Sequence, residues 1–194
     1  MARIIISGGT MQVIEGGKSE GGSHHGTPLS QAQDRASTFV MLEAGGERFA
    51  LPVETTREIT RVPAITWIPG SREPVCGVIN LRGSVVPVID LAGTLNLQSR
   101  KQGDDERIII VDHDDEMVGL KVDKVLEVAR IDPEAITPSM RTLTENGKEM
   151  INGQTTIEGV ITGVLDTGKV IGSVRIPEDG MRGRTTEKNN HRKG

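Results

Sequence analysis

Through the middle of the chain apolar and polar residues alternate with a period of two, the pattern of half-buried strands. Residues 38–42, Thr-Phe-Val-Met-Leu, predict one strand. Residues 43–47 predict a turn containing Gly45-Gly46, and 48–53 the returning strand. Pro52 has no N–H to give to a ladder, so that strand lies at an edge or ends there. Residues 75–81 and 85–91 are two more apolar runs, joined by Arg82-Gly83-Ser84. Residues 107–111 and 117–122 flank an acidic turn at 112–116, and 157–161 with 169–176 predict the last pair.

The pattern is used twice. Residues 39–62 read FVMLEAGGERFALPVETTREITRV and residues 108–131 read IIIVDHDDEMVGLKVDKVLEVARI. They align without a gap: Glu47 meets Glu116, Leu51 meets Leu120, Val53 meets Val122, Glu58 meets Glu127 and Arg61 meets Arg130. A second echo sets Gly77-Val-Ile, opening the run to Leu91, against Gly159-Val-Ile, opening the run to Ile176. Self-similarity of this kind means one supersecondary unit used twice. The expected fold is all-β: two small barrels of about five strands, related by a pseudo-two-fold duplication, with short helical segments. Residues 38–177 form the domain, with subdomains at about 38–100 and 101–177. Residues 1–37 read as a flexible tail, although 4–6 and 11–14 have the pattern of a short hairpin, and 178–194 read as a second tail.

Composition narrows the function. Hydrophobic residues make up 35% of the chain, and the aromatics are Phe39, Phe49 and Trp67, with no Tyr, so the core must come from Val, Ile and Leu. A net charge of -4 argues against nucleic acid as the main partner, because a phosphate backbone needs a basic footprint. Small barrels do bind RNA or single-stranded DNA, and that is the alternative reading, but they use aromatic platforms and basic grooves. The single Cys76 fits a reducing compartment. No apolar run reaches the roughly 18 residues of a membrane span, and the N-terminus lacks the apolar core of a signal peptide. A soluble, cytoplasmic protein is expected.

Candidate chemistry is sparse. No glycine-rich phosphate loop is present. His24-His25 lies in the tail, and Asp112-His113-Asp114-Asp115 falls on a predicted turn without a calcium-loop pattern, so no metal site and no cofactor are expected. Cys76 sits in an apolar stretch without a neighbouring base, and none of the four histidines has a rigid framework, so no catalytic residue is expected. One dense segment remains, residues 77–91, GVINLRGSVVPVIDL. Either Arg82 is a solvated turn residue, or it pairs with Glu58, at the end of the preceding helical turn, beside apolar surface.

That segment resembles the most recognisable stretch of the CheW domain family, with Gly77, Asn80, Arg82, Gly83, Pro87, Asp90 and Leu91 in place. Residues 49–59 resemble the family's return strand and short helix, with Thr56 where the family carries Val, and 107–128 resemble its second hairpin. The resemblance runs from about Thr38 to Ile176. It implies two SH3-like five-stranded barrels around a shared apolar interface, and a scaffold that is not an enzyme. One barrel would bind the regulatory domain of the histidine kinase CheA, and the groove between barrels would accept the cytoplasmic tip of a chemoreceptor. By position, the implied contact residues are Thr56, Glu58, Gly77, Arg82, Gly83, Ile108 and Ile109. Strand alternation sets Ile108 and Ile109 on opposite faces, one inside the second barrel and one toward the groove. Two features depart from the family: the closing helix is shortened or absent, and the N-terminal tail is longer.

Overall fold

Each copy of the duplicated unit begins with a hairpin, continues through a turn into a third strand, and later adds a second hairpin capped by a short helix. The computed structural model describes residues 3–7 and 10–14 as backbone, and 36–98, 103–114, 116–138 and 149–173 in full. In the first copy the elements are β3 (Ser37–Ala44), β4 (Glu47–Pro52), a 3-10 turn (Val53–Thr55), β5 (Thr56–Arg61), β6 (Val75–Leu81), β7 (Ser84–Asp90) and α1 (Leu91–Thr94). The second copy has β8 (Arg107–His113), β9 (Glu116–Val122), β10 (Lys124–Ile131), a 3-10 turn (Pro133–Ala135), β11 (Ile151–Ile157), β12 (Val160–Leu165) and α2 (Thr167–Gly172). Ahead of both stand β1 (Arg3–Ser7) and β2 (Thr10–Ile14).

The strands assemble into two sheets, ordered β1-β2-β5-β8-β9-β7-β6 and β10-β3-β4-β12-β11. Without β1 and β2, each sheet is five-stranded and one order maps onto the other copy for copy. The opening hairpins are exchanged: β8–β9 lies within the first copy's sheet, and β3–β4 within the second's. Parallel pairing fixes the exchange, Ile89 against Leu120 in the first sheet and Phe49 against Gly163 in the second. The expected division at about residue 100 is therefore corrected, since each five-stranded unit draws on both halves of the chain. Alternation dictates which face of a strand is buried, and is silent about which neighbour the strand takes. The SH3-like units are also open in their ladders. The outer edge of β6 is occupied by Thr66, bridged to Val78, and that of β11 by Thr137, bridged to Gln154.

Exchange explains the apolar runs. In β8, Ile108 and Ile110 enter the core of the first sheet, while Ile109 and Val111 enter a core shared between the sheets. All four are fully buried. A strand covered on both faces reads as a continuous apolar run, and each such side chain contributes roughly 1.5–3 kcal/mol of burial. The shared core takes Phe49, Leu51, Ile89, Ile109, Leu120 and Leu165, hence side chains from both sheets. The second sheet's own core holds Phe39, Met41, Ala50, Ile131 and Val164.

Other expectations are corrected locally. The last strand pair is 151–157 with 160–165, so 157–161 spans a turn, and Lys169 lies in α2, capped by Asp166. Residues 174–194 lie outside the described residues, and with them the place where the closing helix was expected to be shortened or absent. Arg3–Ser7 and Thr10–Ile14 form an antiparallel hairpin added to β5, where a tail was expected, and 15–35 lie outside the described residues.

The second echo also shifts. Both β6 and β11 carry a bulge, at Val75/Gly77 and Ile151/Gly153, so the partner of Gly77 is Gly153, and that of Gly83 is Gly159. A Cβ built on Gly77 lands on the Thr66 carbonyl oxygen, and on Gly153 it lies 2.8 Å from that of Thr137. Gly77 also has φ 139°, and Gly83 φ 94° with open space around it. Gly77→Ala should therefore lower stability by about 2–3 kcal/mol, combining backbone strain and steric displacement of the bridge, and Gly83→Ala by about 1 kcal/mol. Urea unfolding midpoints of the two variants check the order.

Candidate partner-binding site

β5 reads Thr-Arg-Glu-Ile-Thr-Arg, and its register slips by a bulge between Thr56 and Glu58. Thr56 pairs with Val111 and Glu58 with Ile110, so the bulge moves Glu58 to the face that Ile110 occupies. Glu58 belongs to a strand rather than to the end of a helical turn; the turn, Val53–Thr55, stops just before it. Thr56 is buried, and its hydroxyl donates to the Pro52 carbonyl at 3.0 Å. The departure from Val thus keeps the branched shape and leaves no orphaned oxygen.

Arg82 comes from the β6–β7 hairpin. Its φ is 52° and that of Gly83 is 94°, the two left-handed positions of a tight hairpin turn. Asn80 Oδ1 accepts from the Gly83 N–H at 2.8 Å, which fixes the turn. Arg82 Nη2 then donates to Glu58 Oε2 at 2.9 Å, with the Glu58 side chain only 10% exposed and that of Arg82 66% exposed. A side-chain-bearing residue at positive φ is strained, and here the strain aims a guanidinium. Beside the pair lies a groove of about 420 Å³ lined by Arg57, Leu81, Ser84, Ile110 and Met117. Arg57 pairs with Asp112, which lies at the end of β8 and not in a solvated turn. One rim of the groove thus offers cations held by carboxylates, and its floor is apolar.

The other expected residues do not face this groove. Gly77 and Gly83 shape the β6–β7 hairpin. Ile108 and Ile109 do point to opposite faces, but into two cores, that of the first sheet and the shared one, and neither is among the residues lining the groove beside Arg82. In the second copy the positions equivalent to Glu58 and Arg82 are Glu127 and Glu158, both exposed. Two carboxylates cannot reproduce the ion pair, so the duplicated fold carries this site once. Among the described residues no cluster of three His, Cys, Asp or Glu could hold a metal, and no helix is long and apolar enough to cross a membrane.

A second polar cluster was not foreseen. Lys121 of β9 donates to Glu106 Oε1 at 3.1 Å, with both side chains mostly buried. Burial opposes the Lys121 charge, but the hydrogen bond and charge of Glu106, helped by Asp90, outweigh it and hold the pKa above the ordinary lysine value. Neighbouring Cys76 is pushed up, chiefly by burial, with Lys121 opposing, so it stays a protonated thiol at neutral pH. Only a contact across the fold, between a strand and the 103–106 loop, creates this cluster, and no local spacing announces it.

Two outcomes follow. Because the folded-state pKa of Lys121 is raised, its contribution is complete below the ordinary lysine range and is lost as pH rises through the folded value. Glu106→Met should therefore cost stability at pH 7, and the gap to the parent should narrow above about pH 10.5 in urea titrations. Arg82→Ala should cost about 1 kcal/mol by leaving Glu58 unpaired, with Arg82→Ala/Glu58→Gln recovering part of it in a double-mutant cycle.

The CheW-like domain profile matches residues 38–175. The chain is 35% identical to the chemotaxis protein CheW of Helicobacter pylori over 108 residues, covering 56% of this chain and 66% of that one. It is 30% identical to that of Bacillus subtilis over 133 residues, covering 69% and 85%. The crystal structure of the scaffolding protein TtCheW from Thermoanaerobacter tengcongensis superposes with a TM-score of 0.63 at 29% identity, covering 76% of this chain and 91% of that one. The profile covers well over half of the chain and the superposed structure shares its fold, and the chain belongs to the CheW-like domain family.

Proposed function

We propose that this protein is a chemotaxis scaffold, an adaptor coupling methyl-accepting chemoreceptors to the histidine kinase CheA in two-component signalling, working in the cytoplasm and without a catalytic step of its own. The observation that carries the reading is the Arg82–Glu58 pair: a guanidinium fixed by a buried carboxylate at the rim of an apolar groove is a preorganised anchor for a protein partner. The family and the relatives named for chemotaxis and scaffolding supply the pathway.

In this reading the receptor's cytoplasmic tip docks against the groove, where Arg82 donates its remaining N–H groups to an acceptor on the receptor. Glu58 holds Arg82 in place, Gly83 permits its turn, and Gly77 seats β6 against Thr66. Thr56, Ile108 and Ile109 act from below, as packing that keeps β5 and β8 in register. The regulatory domain of CheA binds another face.

Titration against a receptor-tip fragment and, separately, the CheA regulatory domain tests the assignment. Arg82→Ala should weaken the receptor complex by about 2 kcal/mol, some thirtyfold, and leave the CheA complex nearly intact. Arg82→Lys should recover little, because an ammonium cannot reproduce a planar fork. Equal losses for both partners, or no loss for either, count against it.

A further inference from the structure

The groove beside Arg82 holds one oxidisable side chain that the scaffold role leaves unused. Met117 is the second residue of β9, and it pairs across the ladder with Asp112 of β8. Residues paired in this way share a face. Met117 therefore lies on the side where Asp112 holds Arg57, and where Ile110 belongs to the apolar floor. Its side chain is half-buried, packed against the first sheet's core and also lining the groove.

The other methionines with described side chains are shut away. Met41 lies in the second sheet's core at 2% exposure, and Met150 in the shared core at 6%. A thioether is oxidised where an oxidant reaches its sulfur, so this contrast in burial makes Met117 the reactive one of the three.

We infer that Met117 is an oxidation site for peroxide, and that its sulfoxide closes the groove to the chemoreceptor tip. The closing half of this rests on the docking proposed above. In the reaction a sulfur lone pair attacks one peroxide oxygen, the S–O bond forms and the O–O bond breaks. The other oxygen leaves as water, so sulfur is oxidised and peroxide reduced. A flexible apolar side chain becomes a polar one with an acceptor oxygen. Donors for that oxygen line the same groove, on the guanidiniums of Arg57 and Arg82. An Arg82 N–H given to the sulfoxide is withdrawn from a partner. The floor also acquires a hydrated group that an apolar partner surface would have to strip of water. Both effects weaken docking. Sulfoxide reductases reverse the change, so the groove can reopen.

Timed treatment of the full chain with hydrogen peroxide, followed by peptide mass mapping, tests the site. Met117 should gain the mass of one oxygen well before Met41 and Met150 do. The treated parent should bind the receptor-tip fragment about tenfold more weakly, and the CheA regulatory domain as before. Met117→Leu keeps every other methionine, including Met1, Met11, Met140 and Met181. Whatever its starting receptor affinity, peroxide should leave that affinity unchanged. In nuclear magnetic resonance, the side-chain N–H signals of Arg57 and Arg82 should shift on oxidation of the parent and stay still in Met117→Leu. That readout needs no partner. The inference is overturned if Met41 or Met150 oxidises as fast as Met117, or if the arginine signals do not move. It is also overturned if the parent oxidised at Met117 keeps its receptor affinity, or if treated Met117→Leu loses as much as the parent. An untreated parent that fails to bind the receptor fragment overturns the docking instead, and the mapping and the arginine signals still decide for Met117.

Discussion

Burial of the opening hairpins on both faces is the constraint from which the architecture follows. A hairpin such as β8–β9, with Ile108 to Val111 apolar without interruption, cannot lie on the outside of a single sheet-and-core unit. It needs one core on each side. The duplicated chain provides this by lending each opening hairpin to the other copy, so that one face meets a private core and the other meets the core shared by both sheets. The open ladders, the parallel pairs and the equivalence of the two sheets all descend from that exchange. So does the placement of β5, which packs beside the borrowed β8 and thereby brings Glu58 over Ile110.

Duplication then supplies two equivalent turns, and chemistry separates them. Arg82-Gly83 and Glu158-Gly159 share the same left-handed backbone, so the fold can display a side chain at either place. Only in the first copy does that side chain have the opposite sign to the glutamate of the third strand, Glu58 on β5 or Glu127 on β10. The second copy presents carboxylates with the exposed apolar residues Val160 and Ile161 close in sequence. One scaffold thus carries two surfaces of opposite character, which suits a protein that holds more than one partner at once.

Much of this was legible in the chain. The period of two located β3, β4 and β6 to β9, and the gapless alignment of 39–62 with 108–131 announced the duplication. The dense segment around Arg82 offered Glu58 as that residue's partner, and the two do form an ion pair. What failed had a common cause: local pattern constrains faces, not neighbours. It could not show that the hairpins change sheets, and it misread β5 because Val53–Thr55, a genuine helical turn, abuts it. It paired Gly77 with Gly159 on the strength of Val-Ile, whereas the bulge equates Gly77 with Gly153, whose following residues are Gln-Thr. Lys121 and Glu106, fifteen residues apart, looked like ordinary surface charges until the loop folded them together.

The exchange also sets the order in which the molecule can be made. Phe49 of β4 lies beside Gly163 of β12, and β3 lies beside β10, so the first hairpin's neighbours are encoded near the far end of the chain. At translation rates of roughly 5–20 residues per second, β3–β4 waits on the order of ten seconds on the ribosome before its sheet exists. Contacts so distant in sequence carry a high loop-closure cost and make folding slow for the domain's size. During that interval apolar β3 and β4 lack their neighbours, so the arrangement that buries the core most completely also leaves its first strands uncovered for longest.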